Sequence, residues 1–244
     1  MTHDGVCQFR MTEEGPSFYI YFMNYFEVGN LIYFLQRLAL FLILVFISGS
    51  LIYSKKERSV FYCKILLSVA VLLRVFYATT LTVLQYIAWK NSESLLIQSL
   101  VESPIDKSVK TEIISKYFYG IFEGRHGYFI FYSFGRFWIN FLLVICMALV
   151  FFLILYALRR YKSRFIEKQD ICFGVLGVVI VGWPSVVLYV PSVFIMTLII
   201  SIGRRIFGRA TVTSLKWPLI IAAVFIFFFG NFFLDLFKLV FLKI

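Results

Sequence analysis

The chain has few groups from which chemistry is usually built. Its 244 residues include two histidines, four cysteines and 13 acids. His3 and His126 lie far apart, and Cys7, Cys63, Cys146 and Cys172 form no CxxC pair, so neither a zinc site nor a disulfide framework is expected. HExxH, GxSxG, P-loop and GxGxxG signatures are missing, and no pair of acids is placed to hold a metal inside an apolar run. These absences point away from an enzyme and imply no cofactor. The first seventeen residues carry Asp4, Glu13 and Glu14 against Arg10 alone, the wrong charge for a secretory leader, and read as an uncleaved start.

Apolar length is what the chain has in excess. Hydrophobic residues make up 61% of it and charged residues 15%, too little polar surface for a soluble domain. A bilayer core about 30 Å thick is crossed by roughly 20 helical residues at ~1.5 Å each. Phe137 to Leu158 meets that length without a charge, and Leu219 to Leu234 meets it with its flanks. The expected fold is all-α, a polytopic membrane helix bundle of four to five membrane segments with a proline-broken fourth segment.

Four regions follow along the chain. Residues 1–30 form a tail and an aromatic interfacial segment. Residues 31–89 form a transmembrane hairpin: Leu31 to Tyr53, the basic turn SKKERS, then Val60 to Trp89. Residues 90–127 form a loop of no net charge, and residues 128–244 hold the remaining membrane segments with two basic loops. Within the neutral loop, Ser103-Pro104 resembles a helix start. Behind it Val109, Ile113, Tyr117, Phe118 and Ile121 recur at helical spacing, the face of an amphipathic helix suited to binding a partner or lying on the membrane.

Cys172 to Gly203 is long for one crossing and short for two, and it is interrupted at Trp183-Pro184 and at Pro191. Charge favours a fold-back. A hairpin places the SKKERS, RRYKSR and GRRIFGR loops on one face, as the positive-inside pattern requires, whereas a single crossing separates them. That face is expected to be cytoplasmic and to attract anionic lipid. The net charge of +11 is therefore assigned to membrane topology, with no nucleic acid partner.

Charges inside spans are costly, about 2.5 to 3.5 kcal/mol for a basic side chain at a helix centre. Lys64, Arg74 and Gln85 share a polar stripe on the second span, and Asn231, Asp235 and Lys238 form another on the last. With the hairpin topology Arg74 and Asp235 fall at similar depths, so a buried Arg74 to Asp235 contact is expected. The functional expectation is a non-enzymatic integral membrane protein, an accessory or scaffold subunit that binds another membrane protein, comparable in layout to bacterial immunity, exclusion or secretion accessories of the inner membrane. The alternative is a small channel or transporter component with a polar path around Arg74 and Asp235.

Overall fold

The computed structural model describes residues 30–46, 56–92, 94–104, 124–161, 166–206 and 215–239. These are helical, with no strand among them: an all-α membrane bundle. α1 covers Asn30–Phe46, α2 Lys56–Lys90 and the short α3 Leu95–Val101. α4 (Gly127–Ser133) runs through a single π-helical turn, Phe134–Trp138, into α5 (Ile139–Tyr161). α6 (Lys168–Val181), α7 (Val186–Ile206) and α8 (Lys216–Leu236) complete the bundle.

Among the described residues, four helical stretches are long and apolar enough to cross a membrane: Val60–Lys90, Gly127–Tyr161, Val186–Ile206 and Lys216–Leu236. α1 is apolar as well, and the rest of the expected first span, to Tyr53, lies outside the described residues.

α6 differs from all of these. At 14 residues it is about 21 Å long, too short to cross alone, and it is buried on every side, from Gln169 to Val181. It packs against α2, α5 and α8, so protein takes the place of lipid around it. Small residues allow the close approach: a Cβ at Gly174 would stand 2.6 Å from Leu155 and 2.8 Å from Phe151. On α2 the facing positions include Cys63, Ala70 and Ala78, each at most 3% exposed.

The chain turns back after α6. Gly182 adopts φ 75, a left-handed conformation that ends the helix, and the Trp183-Pro184 bond is cis. Three residues into α7, Tyr189 lies beside Gly177, packs on Phe151 at 5.9 Å and donates its hydroxyl to the Leu219 carbonyl at 3.3 Å. In a continuous helix Tyr189 and Gly177 would be about 18 Å apart. At the other end, Lys216 at the start of α8 pairs with Glu167 at the start of α6, 3.2 Å apart. α8 thus begins where α6 begins, and α7 has returned the chain to that end. The fourth segment is a re-entrant hairpin whose arms diverge, with α8 packed against both.

One local expectation needs correction. Pro191 does not interrupt the chain but lies within α7, where neighbouring turns carry the helix past its missing N–H. The helix expected to start at Ser103-Pro104 lies outside the described residues. The Ser103 hydroxyl donates to the Leu100 carbonyl at 3.1 Å, at the end of α3. The amphipathic face of Val109, Ile113, Tyr117, Phe118 and Ile121 lies outside the described residues.

Candidate functional site

The break after α6 leaves a helix C-terminus buried within the apolar bundle, where its last carbonyls are shut off from water. Arg74, from the middle of α2, fills that role. Its Nε donates to the Val179 carbonyl at 2.6 Å and its Nη2 to the Ile180 carbonyl at 3.0 Å. The Gly182 N–H takes the Val178 carbonyl at 3.0 Å and the Val186 N–H takes that of Gly182 at 2.9 Å. A guanidinium at this position also meets the negative end of the helix dipole. Gly182 is required twice over: its φ suits glycine, and a Cβ there would fall on Arg74 Nη2, with Cζ only 2.8 Å away.

The opposite end of α6 is matched in the same way with the other sign. Glu167 and Asp170 form a reciprocal capping box, each side chain accepting the other's backbone N–H, with Glu167 N to Asp170 Oδ2 at 2.8 Å. Asp170 is fully buried and Gln169 is 1% exposed. α6 therefore carries acids at its positive end and a guanidinium at its negative end. The E-K-Q-D spacing is the signal in the sequence that could have identified this start.

Arg74 therefore has backbone carbonyls as partners in place of Asp235. The bundle turns the two groups to different faces: Asp235 lies exposed on α8 with Asn231, and Lys238 sits just beyond the helix end with φ 54. The stripe on α2 divides similarly. Arg74 and Ala78 face the bundle, Lys64 and Ser68 face outward, and Gln85 is partly buried. Thr82 accepts a bond from Trp138 Nε1 at 3.3 Å.

A second cation joins the site. Arg37 of α1 donates from Nε to the Tyr33 hydroxyl and from Nη1 to the Phe227 carbonyl, each at 2.9 Å. Its guanidinium carbon lies 5.3 Å from the Tyr33 ring centre and 4.9 Å from that of Phe227. Such ring faces stabilise a cation where water is scarce. Tyr33 stands 6.5 Å from Tyr77, one turn beyond Arg74, so the two arginines belong to one cluster. Nothing in the sequence of α1 taken alone links Arg37 to α2 or α8.

Among the described residues no group of three or more His, Cys, Asp and Glu side chains could hold a metal. The Cys63 and Cys172 thiols meet across α2 and α6, aligning the starts of those helices, and both are free. What the site can do is hold cations in place: it tethers two guanidiniums at a helix break inside an apolar bundle. No family model, no curated protein and no solved structure matches this chain.

Proposed function

We propose that the protein is a non-enzymatic accessory or scaffold subunit that acts by binding another membrane protein, with a bacterial inner membrane as its setting. The observation that carries this reading is Asn231. It lies on the exposed side of α8, 15 residues into the helix and so about 22 Å along it, and makes no side-chain hydrogen bond among the described residues. An amide facing hydrocarbon is costly, and membrane helices commonly satisfy such a group by hydrogen-bonding to a neighbouring helix. Beyond Phe227 only Gly230 and Leu234 of α8 are buried, so the side of this half that carries Asn231 is exposed.

The partner is a membrane protein whose helix offers a hydrogen-bonding group at that depth. The amphipathic segment around Val109, Ile113 and Tyr117 is a second contact in the same reading. A transport role is less well supported. The carbonyls at a re-entrant helix end, which elsewhere coordinate a moving cation, here bond a cation tethered to α2.

A photo-activated crosslinker at position 231, compared with one at Phe194 on the exposed side of α7, tests the assignment in native membranes. The expected result is one discrete protein adduct from position 231, lost when excess unlabelled protein is co-expressed. Lipid adducts alone from both positions would refute it.

A further inference from the structure

α2 and α6 run parallel, side by side. α2 is antiparallel to the α4–α5 stretch, with Trp89 on Tyr132 at 4.8 Å and Trp138 bonded to Thr82, and α6 is antiparallel to α5, with Gly174 against Leu155 and Phe151. Their register is fixed by Arg74. It lies eleven residues beyond Cys63, and the Val179 carbonyl that it bonds lies seven beyond Cys172. These are rises of about 16 Å and about 10 Å in one direction. The arginine side chain, leaning back toward the start of its own helix, makes up the difference. Cys63 and Cys172 are therefore level, and their thiols share a hydrogen bond. Ala70 and Ala78, almost wholly buried on the same side of α2, let the two backbones run close.

We propose that Cys63 and Cys172 are a redox-active dithiol that closes to a disulfide by exchange with a low-molecular-weight disulfide, clamping α6 to α2. The two thiols differ in access. Cys63 is 1% exposed, whereas Cys172 is partly exposed and stands about 6 Å into α6 from Lys168, near the polar end marked by Lys216 and Glu167. Exchange starts at Cys172, whose thiolate attacks one sulfur of the incoming disulfide, forms a mixed disulfide and expels one thiolate. Cys63 then attacks the Cys172 sulfur and expels the second. Two protein thiols are oxidised and one external disulfide is reduced to two thiols, which take up the two protons. The inference is independent of the accessory role and rests on different residues.

The test uses the full chain in a neutral maltoside detergent, equilibrated with mixtures of reduced and oxidised glutathione. After an acid quench, thiols are alkylated in denaturant and located by peptide mass. Cys63 and Cys172 should disappear together into one linked peptide while Cys146, exposed on α5, stays unlinked. Excess reduced glutathione should restore both. The linked form should unfold at a higher temperature, because the bond closes the long loop between residues 63 and 172 in the unfolded chain. Cys63→Ser should stop the exchange at a glutathione adduct on Cys172.

Three results would overturn the proposal: both thiols alkylated at every glutathione ratio, glutathione held on Cys172 beside a free Cys63 in the unaltered chain, or equal unfolding temperatures for the linked and reduced forms. An adduct missing from Cys172 in Cys63→Ser would overturn the order of attack. Should that variant fail to fold, the linked peptide from the unaltered chain decides.

Discussion

Lys216 holds Glu167 across the base of the bundle, Nζ to Oε2 at 3.2 Å, and so ties the first residue of α8 to the cap of α6. Both side chains are partly exposed, and a pair of this kind adds roughly 0 to 1 kcal/mol. Its importance is geometric. It requires that the chain, having entered the bundle through α6, leave by the same end before α8 starts.

Accessibility follows from that constraint. In a chain freed of its four native cysteines, single cysteines at Tyr161 and at Ile206, both strongly exposed, should label from the same side of the membrane. A cysteine at Asn91 should label from the other. Labelling of Tyr161→Cys and Ile206→Cys from opposite sides would mean that Cys172 to Gly203 crosses once.

Gly182→Ala should be among the most damaging single-methyl changes in the protein. It forces a side chain into a left-handed conformation, a cost of about 1 to 2 kcal/mol, and drives its Cβ into the Arg74 guanidinium. Gly203→Ala, with open space around it, is the control and should leave the unfolding temperature within a degree or two. Equal melting of the two variants would show that the cap is dispensable.

Arg74→Met leaves two membrane carbonyls without donors and should cost about 3 to 6 kcal/mol, taking 1.5 to 3 for each charged hydrogen bond. Asp235→Asn, on an exposed face and conservative in shape, should cost clearly less than Arg74→Met. A buried Arg74 to Asp235 ion pair would instead make the two losses similar, so parallel melts of both variants in detergent separate the arrangements.

The Tyr189 hydroxyl occupies the space a side chain at 177 would need. Gly177→Ala should therefore lower the unfolding temperature, and Tyr189→Phe in the same chain should restore part of the loss, although it gives up the bond to Leu219. Loss of the same size in both backgrounds would place the strain elsewhere.

Much of this architecture was legible in the sequence because a bilayer imposes lengths and charge asymmetry that show in one dimension. The span from Val60, the span ending at Arg159-Arg160, and the fold-back at Trp183-Pro184 were expected from apolar length, basic loops and proline. The partner of Arg74 was not, for a physical reason. A search for countercharges considers side chains, whereas the acceptors are main-chain carbonyls of Val179 and Ile180, which every residue has and no composition reveals. Asp170 was missed in the same way, because its burial depends on α6 being enclosed by three other helices.

That enclosure bears on how the protein is made. At 14 residues α6 is a weak signal for insertion on its own, and the α8 face that covers it, Leu219, Ala222, Ala223 and Ile226, leaves the ribosome after the other described helices. Final seating of α6 must therefore wait until α8 has been made, with α2 and α5 acting as an intramolecular cradle in the meantime. A chain stopped before Lys216 would leave one side of α6 open to lipid and would be an early substrate for membrane quality control.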